Sequence, residues 1–395
     1  MKRIRRQVAL LGLLSLVSRP APAQPARSNP PETTEQFIDV DGRTLHLRVG
    51  GSGTPTVVLD SGLGDSLAPW NDIFPAIAGF TRAVAYDRAG YGRSDPGPEP
   101  RSYGAVATEL HKLLTRAGFA PPYVLVGHSL GGAHIRAFAH LFKDDVAGLV
   151  FVDPISEEMF AAASSEERKK DREEQDAAVS KGPPGVRGEW AFSREESLHD
   201  FPQLRSLGTP PDVPTAVLVA SRGRPRLWVR SLLSQYGRWI ADASEGYLLV
   251  TADSGHYIQR DEPALVISAI RRVVFPSAEK ALARIMEEKG VLAAIATYRD
   301  MKARYPTDYL QERTLNRLGY ERLQVGHVDD AIAIFKLNVE MYSDGFNTHD
   351  SLAEAYMVKG NRQAAIEHYR KSLALNPDNS NARLMLKKLE DGLPR

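Results

Sequence analysis

The stretch VLVGHSLGGAH, residues 124–134, decides how this chain folds. An apolar, strand-forming run leads into Gly127-His128-Ser129-Leu130-Gly131, and a segment with helical periodicity follows. The turn between them is too tight for side chains on both sides of the serine, which explains the two glycines. A serine in this context presents its hydroxyl at the start of a helix, so we predict that Ser129 is a nucleophile. The other interpretation is a glycine-rich turn with an incidental serine.

Short apolar runs on either side of this stretch predict the rest of a sheet. Each run ends in polar or turn-forming residues, and helical segments separate them: TVVLDSG, AVAYDRAG, YVLVGHS, GLVFVDP, TAVLVAS and GYLLVTADSGH. Strands that are apolar throughout are typical of parallel sheets covered on both faces by helices. Ahead of them, FIDVDGRTLHLRV alternates around Asp41-Gly42 and predicts a hairpin. We therefore predict an α/β domain over residues 37–275, with its ligand site at the carboxyl ends of the strands.

The alternation of strands and helices breaks between residues 154 and 212. Residues 165–176 are densely charged and predict a solvated helix, whereas KGPPGVRGEW, residues 181–190, predicts a loop. We interpret residues 154–212 as a lid or cap insertion over the strand ends, because its aromatic residues need a packing partner. A surface excursion without such packing is the alternative.

After Phe275-Pro276 the sequence becomes repetitive. GHVDDAIAIFK from Gly326 and GNRQAAIEHYR from Gly360 begin 34 residues apart, and GVLAAIATYRD from Gly290 is a weaker copy. A period of this length with small and aromatic residues at matched positions resembles tetratricopeptide repeats. The resemblance covers residues 277–391 and implies an all-α helical repeat domain that binds a protein or peptide partner. An unrelated helical bundle is the alternative.

The N-terminal residues have the pattern of an export signal. Four basic residues precede a short apolar run, and Ala21-Pro22-Ala23 has the small-x-small pattern of a cleavage site. We predict a signal peptide over residues 1–23, a disordered linker over 24–36, and a periplasmic or extracellular protein without a membrane span after cleavage. An uncleaved membrane anchor is the alternative. The net charge of +1 offers no field for nucleic acid, and a chain without cysteine has no thiolate nucleophile or thiolate metal ligand.

The G-x-S-x-G pentapeptide in its strand–turn–helix context resembles the α/β-hydrolase fold family of serine hydrolases. The resemblance covers residues 37–275 and implies a mostly parallel, eight-stranded sheet with a triad in the order serine, acid, histidine. The histidine follows the last strand in this family, and Ser254-Gly255-His256 is found there. We expect His256 to be the base that takes the proton of the serine, the alternative being an ordinary loop histidine. No cofactor and no metal is needed for this chemistry.

The acid of the triad is less clear from the sequence. In this family it most often follows the seventh strand, but here that loop, residues 221–226, contains three arginines and no carboxylate. The other place known for the fold is the end of the sixth strand, where GLVFVDP has Asp153. We therefore predict Asp153 as the acid that orients His256, although a structural aspartate is also common there. Asp253, on the same loop as the histidine, is the alternative acid.

The family resemblance also implies an oxyanion hole made of two backbone N–H groups. One is expected from Leu130, directly after the nucleophile. The other comes from the loop after the third strand, where the family often has His-Gly and this chain has Asp60-Ser61-Gly62-Leu63-Gly64. Leu63 is our candidate for that second N–H group. Asp60 is expected to turn away from the developing negative charge and to bond a neighbouring loop.

These residues together predict an exported serine hydrolase, a carboxylic ester hydrolase in the first instance. It would cleave an ester or related acyl bond of a small-molecule substrate through an acyl-enzyme on Ser129. The same triad also serves amidases, peptidases, lactonases and cofactor-free oxidases, and the fold alone does not separate them. An alternative of another class is an interaction protein that uses its repeats and keeps a vestigial hydrolase domain.

Overall fold

The computed structural model describes residues 32–159, 165–304 and 309–391, so the signal peptide expected over residues 1–23 lies outside the described residues. Eight strands form one sheet: β1 Thr33–Val40, β2 Arg43–Gly50, β3 Thr56–Asp60, β4 Ala83–Tyr86, β5 Tyr123–His128, β6 Val146–Val152, β7 Thr215–Ala220 and β8 Gly246–Thr251. Their order is β1-β2-β4-β3-β5-β6-β7-β8. β2 pairs antiparallel with β1 and β4, and from β4 to β8 all pairings are parallel. The prediction of a mostly parallel eight-stranded sheet is confirmed.

The first strand begins earlier than the sequence indicated. Residues 33–36 had been predicted as the end of a disordered linker, but they pair with β2, with Thr33 opposite Gly50. The reason is a polar cross-strand contact, since Glu35 Oε1 accepts a hydrogen bond from Arg48 Nε at 2.8 Å. These residues are mostly exposed, so their side chains have no apolar alternation that would have marked them as a strand.

Helices cover both faces of the sheet. They are α1 Phe74–Ala78, α2 Tyr103–Arg116, α3 Gly131–Leu141, α7 Arg226–Ala241, α8 Ile258–Asp261 and α9 Pro263–Val274. Along β5, Leu125 packs into the core beneath α2, α3 and α7, whereas Val124 and Val126 pack into the core beneath α1 and α9. Both faces of the strand are therefore buried away from water, which is why its sequence is a continuous apolar run.

Three helices occupy the insertion between β6 and β7: α4 Ser165–Val179, α5 Pro184–Leu198 and α6 Pro202–Ser206. The helix α4 is largely exposed, as its charge predicted. The loop predicted over residues 181–190 is wrong from Pro184 onward, because α5 begins there. Glycine had suggested a loop, but Gly185 lies against Gly90 so closely that a Cβ on Gly185 would be 2.4 Å from the Ala89 carbonyl oxygen. Glycine serves close approach of two backbones here, not a turn.

Beyond α9, the described residues form seven further helices: α10 Ala278–Lys289, α11 Val291–Arg304, α12 Glu312–Gln324, α13 Val328–Met341, α14 Phe346–Val358, α15 Arg362–Leu375 and α16 Ser380–Glu390. The three copies found in the sequence are the starts of α11, α13 and α15. Their glycines, Gly290, Gly326 and Gly360, all have φ between 81° and 86°, a left-handed value that glycine adopts at little cost. The matched aromatic residues are fully buried: Tyr298, Phe335 and Tyr369. The helical repeat region is therefore regular in three dimensions.

The repeats contact the sheet domain directly at the junction. Glu245 Oε1 accepts a hydrogen bond from the Ser277 backbone N–H at 2.8 Å, and Arg284 Nη1 lies 2.7 Å from Asp212 Oδ2. The rings of Phe275 and Tyr309 are 5.5 Å apart. Across the ranges described, no helix has the length and apolar character that crossing a membrane would require.

Candidate active site

Ser129 stands on a sharp turn between β5 and α3. Its φ is 52°, in the left-handed region that a residue other than glycine rarely adopts. The turn is held from both sides, because the Ser129 N–H donates to the Val152 carbonyl at 3.1 Å and its carbonyl accepts from the Ile155 N–H at 3.0 Å. Strain that surrounding contacts enforce in this way is typical of functional positions.

The flanking glycines are sterically required. A Cβ on Gly127 would lie 2.5 Å from the Gly131 carbonyl oxygen, and a Cβ on Gly131 would lie 2.4 Å from the Asp60 carbonyl oxygen. The next glycine, Gly132, packs against Pro154, where a Cβ would come within 2.6 Å of the proline Cβ. The turn that presents Ser129 therefore depends on all three positions.

His256 and Asp153 meet at the same edge of the sheet. Asp153 Oδ2 lies 2.6 Å from His256 Nδ1, although the two residues are 103 positions apart in the chain. An ionised carboxylate can only accept hydrogen bonds, so Nδ1 carries a proton. In the neutral ring this is the tautomer whose Nε2 can accept a proton. Among the described residues, no hydrogen bond joins the Ser129 hydroxyl to this ring, although both side chains line the same cavity.

Among the described residues, the carboxylate of Asp253, the alternative acid, makes no hydrogen bond to the His256 ring, whose Nδ1 is bound by Asp153. The Asp253 side chain is exposed, and its carbonyl oxygen accepts from Arg222 Nη1 at 2.7 Å. Arg222 also binds Asp261, whose Oδ2 lies 2.6 Å from Nη2. Arg222 therefore ties the backbone at Asp253 to Asp261 on α8.

Arg224 is a partner of Asp153 that sequence reasoning missed. Its Nη1 donates to Asp153 Oδ1 at 2.7 Å and its Nη2 lies 2.5 Å from Oδ2, while the guanidinium stacks 4.3 Å from the centre of the Trp228 ring. Burial alone would raise the pKa of Asp153, but hydrogen bonds from His256 and Arg224, and the charge of Arg224, hold it below its usual value. Asp153 is consequently ionised at neutral pH. The signal in the sequence was the loop with three arginines, which could have been read as a counter-charge for an acid elsewhere.

His128, the residue before Ser129, supports the loop of His256. It is fully buried, and its Nε2 lies 2.9 Å from the His256 carbonyl oxygen, which fixes the proton on Nε2. Burial, reinforced by the neighbouring His256, lowers the pKa of His128 to about 3. His128 is therefore a neutral hydrogen-bond donor that holds the backbone of His256 in place.

The loop after β3 lies beside Ser129. Within the part of the chain that the structure describes, the N–H groups of Leu63 and Leu130 donate to no protein acceptor. Leu63 and Leu130 line the same cavity as Ser129. Asp60 turns away from that cavity, as predicted, and accepts from Tyr86 Oη at 2.9 Å and Arg88 Nη1 at 2.7 Å. The loop after β3 therefore offers the N–H group of Leu63 and the turn after β5 offers that of Leu130, while the Asp60 carboxylate is bonded to Tyr86 and Arg88.

A second acid on this loop does face the cavity. Asp65 Oδ2 accepts from Tyr257 Oη at 3.1 Å, so it connects the loop after β3 to the loop of His256. Burial raises the pKa of Asp65 above its usual value, and the hydrogen bond from Tyr257 offsets only part of that effect. Sequence reasoning did not single out either residue.

Ser129 and His256 line a cavity of about 1000 Å³, and residues of the inserted helices line it as well. Trp190 and Trp228 line it, and both indole N–H groups are already used, by Asp176 Oδ1 at 2.7 Å and by the Met159 carbonyl at 2.5 Å. Their rings therefore contribute apolar surface to the cavity. Its polar residues include Arg172 on α4.

Two family profiles match this chain. The one described as alpha/beta hydrolase fold matches residues 55–184, a range that includes Ser129 and Asp153, and the one described as tetratricopeptide repeat matches residues 346–379. A crystal structure of an aCif variant superimposes with a TM-score of 0.50 and 18% identity, covering 62% of this chain and 89% of that one. At this identity the superposition supports the fold alone.

Part of this chain is also similar in sequence to other proteins. The uncharacterized protein YqjL of Bacillus subtilis is 34% identical over 122 residues, which are 30% of this chain and 48% of YqjL. A protein of Hormonema carpetanum named as the probable transporter efuK is 35% identical over 129 residues, 31% of this chain and 18% of efuK. The aligned segments thus span less than half of these relatives' own lengths. Sheet order, turn geometry and profile matches agree that the chain joins a domain with the α/β-hydrolase fold to a helical repeat region, part of which matches tetratricopeptide repeats.

Proposed function

We propose that this protein is a serine hydrolase that cleaves an ester or related acyl bond, with Ser129 as nucleophile, His256 as base and Asp153 as orienting acid. The observation that carries the proposal is the 2.6 Å contact between Asp153 and His256 at the edge of the sheet where the strained Ser129 turn opens into the cavity. A buried carboxylate that fixes a histidine tautomer, with a half-buried serine lining the same cavity, is an arrangement suited to acyl transfer.

The proposed reaction follows from the protonation states. His256 Nε2 accepts the proton of Ser129 as the hydroxyl oxygen attacks the acyl carbon, and the imidazolium that forms is stabilised by ionised Asp153. The oxyanion accepts hydrogen bonds from the N–H groups of Leu63 and Leu130. The imidazolium returns its proton to the departing alcohol, which leaves an acyl-enzyme. Water, deprotonated by His256, then releases the acid and restores the serine.

The hydrogen bond from Ser129 to His256 would form as substrate fills the cavity, because such contacts are commonly loose before substrate binds. The cavity is large enough for a small molecule with an apolar acyl or alcohol group of considerable size. We propose small-molecule acyl substrates on this ground, with the surface of Trp190 and Trp228 in contact with the apolar part.

The proposal extends to the location and the partners of the protein. We propose export to the periplasm or the extracellular space on the basis of the N-terminal sequence pattern. The repeat region is proposed to bind a protein or peptide, supported by its match to tetratricopeptide repeats. Copurification with the full-length chain, compared with a chain that ends at Phe275, should recover a partner only when the repeats are present. Recovery of the same proteins by both chains would contradict a binding role of the repeats.

A fluorophosphonate probe tests the enzymatic proposal, because it labels only an activated serine. The wild-type protein should be labelled at Ser129, and Ser129→Ala should lose both labelling and ester turnover, the latter by about 10⁶ in kcat. Ser193→Ala is the matched control, since this buried serine lines the same cavity from α5. A folded wild-type protein that stays unlabelled would favour the interaction protein with a vestigial hydrolase domain. A panel of aryl esters, anilides and lactones would then separate esterase from amidase and lactonase activity.

A further inference from the structure

A cluster of fully buried charges connects the inserted helix α5 to the loop after β3. Glu189 on α5 binds Arg88, with its Oε1 and Oε2 at 2.9 and 3.1 Å from the arginine Nε. Tyr91 Oη donates to Glu189 Oε2 at 2.6 Å. Glu189 and Arg88 are each only 1% exposed. Because α5 also lies backbone to backbone against Gly90, this part of the insertion is firmly attached to the domain.

Arg88 passes this attachment on to the candidate oxyanion loop. Its Nη1 donates to the Ser61 carbonyl at 2.6 Å and to Asp60 Oδ1 at 2.7 Å, and its Nη2 donates to the Gly62 carbonyl at 2.7 Å. A planar guanidinium with all three nitrogens engaged has one orientation. Glu189 binds one edge of the guanidinium and the loop carbonyls bind the other, so a shift of one displaces the other.

The direction of the Gly62 carbonyl fixes the direction of the Leu63 N–H. These two groups belong to one peptide unit, and in a trans peptide the C=O and the N–H point in opposite directions. Because Arg88 is buried and outside the cavity, a Gly62 carbonyl held towards Arg88 turns the Leu63 N–H away from it. That N–H donates to no acceptor in the described protein, which is what an oxyanion donor requires before substrate binds.

Buried ion pairs are a poor means of stabilising a fold, because the desolvation of both charges offsets their attraction. Well-packed apolar residues could fill the same space. The pair between Glu189 and Arg88 therefore calls for an explanation other than stability, and the orientation of the Ser61 and Gly62 carbonyls provides one.

We infer that Glu189 is a positioning residue of the hydrolase site: it acts through Arg88 to hold the Gly62–Leu63 peptide with its N–H towards the oxyanion. The inserted helix α5 is thus part of the machinery that stabilises the transition state, in addition to being a wall of the cavity. The inference rests on the proposed function, and it adds a role for a residue of the insertion.

Glu189→Gln tests the inference with almost no change of volume. The neutral amide removes the charge of one of the two carboxylates that bind the guanidinium, Asp60 being the other, so the carbonyls that Arg88 holds are less firmly oriented. Because removal of a whole oxyanion donor lowers kcat by about 10²–10³, misalignment of one should lower kcat by about 10–100-fold. KM should change by less than about threefold, since the interaction is made mainly in the transition state.

The matched control is Glu196→Gln, which removes the charge of another buried glutamate of the same helix. Glu196 accepts from the backbone N–H groups of Gln203 and Leu204 and does not contact Arg88. It should leave kcat unchanged even if it lowers the melting temperature. Turnover is normalised to the sites that a fluorophosphonate titrates, and a trifluoromethyl ketone is used as a transition-state analogue. Its inhibition constant should rise in Glu189→Gln by the same factor by which kcat falls.

Equal kcat per titrated site and equal inhibition constants in Glu189→Gln and the wild type would overturn the inference. If Glu189→Gln does not fold, Tyr91→Phe decides, since it removes only one hydrogen bond to Glu189. Tyr91→Phe should lower kcat per site by about two- to fivefold with a matching loss of inhibitor affinity, and unchanged values would overturn the inference. A wild-type protein that the fluorophosphonate does not label would instead overturn the proposed function, and the inference with it.

Discussion

The buried histidine before the candidate nucleophile should make the α/β-hydrolase domain sensitive to acid. His128 has a pKa of about 3 in the folded protein, because burial and the neighbouring His256 disfavour its charged form. In the unfolded chain its pKa should be about 6.5. Between these values the unfolded state binds a proton that the folded state does not bind. The contribution of His128 to stability is therefore complete above about pH 6.5 and is lost progressively as the pH falls towards 3.

The size of the effect follows from the difference between the two pKa values. Each pH unit within the window lowers the free energy of unfolding by about 1.4 kcal/mol. Between pH 7 and pH 5 the loss due to His128 amounts to about 2 kcal/mol, and towards pH 3 it approaches 4–5 kcal/mol. His128→Gln should remove this loss, because glutamine does not titrate and can still donate an N–H to the His256 carbonyl.

Urea unfolding followed by tryptophan fluorescence measures the effect in the relevant domain. All four tryptophans, at positions 70, 190, 228 and 239, precede the repeats. Between pH 7 and pH 5 the wild type should lose about 2 kcal/mol more than His128→Gln. His199→Gln serves as the control, since its side chain is 63% exposed on the insertion, and it should behave as the wild type. If the free energy of unfolding falls equally with pH in the wild type and in His128→Gln, the acid sensitivity does not come from His128.

Two further substitutions with matched controls test the site and the insertion. Asp153→Asn should preserve the fold and lower kcat by about 10⁴, as loss of the orienting carboxylate does in a comparable triad. Asp253→Asn should change kcat by less than about twofold, because its exposed carboxylate makes no hydrogen bond to His256. Steady-state hydrolysis of an aryl ester measures both, and equal losses would argue against Asp153. Gly185→Ala should lower the free energy of unfolding in urea by about 1–3 kcal/mol, because its Cβ would clash with the Ala89 carbonyl. Gly237→Ala, in α7, should instead raise it by about 0.5–1 kcal/mol, because the added Cβ meets no atom of another element within 4 Å. A Gly185→Ala variant as stable as the wild type would contradict the close packing of α5.

The sheet was predictable from the sequence because its strands are buried on both faces. Val124, Leu125 and Val126 form a continuous apolar run, and the glycines around Ser129 mark the turn that follows. The repeats were predictable for a related reason: each copy begins with a glycine and has a buried aromatic residue at the matched position. Local patterns of this kind do not depend on contacts with distant parts of the chain.

Features that depend on distant contacts were not predictable. The pair of Arg224 with Asp153 joins residues 71 positions apart, and the pair of Glu189 with Arg88 joins residues 101 positions apart. The start of α5 was missed for the same reason, since Gly185 is explained only by the backbone of Gly90 on another element. Charged and glycine residues have many possible roles, and only the fold decides which partner each one meets.

The central claim is that acyl transfer proceeds through a covalent intermediate on Ser129. It is tested most directly by mixing the protein with an activated acetyl ester, quenching in acid within one turnover, and mapping the adduct by peptide mass spectrometry. One acetyl group is expected on the peptide that contains Ser129, and it should be absent after complete turnover and absent in Ser129→Ala. Hydrolysis that proceeds with no acetylated Ser129, or with the acetyl group on another residue, would contradict it.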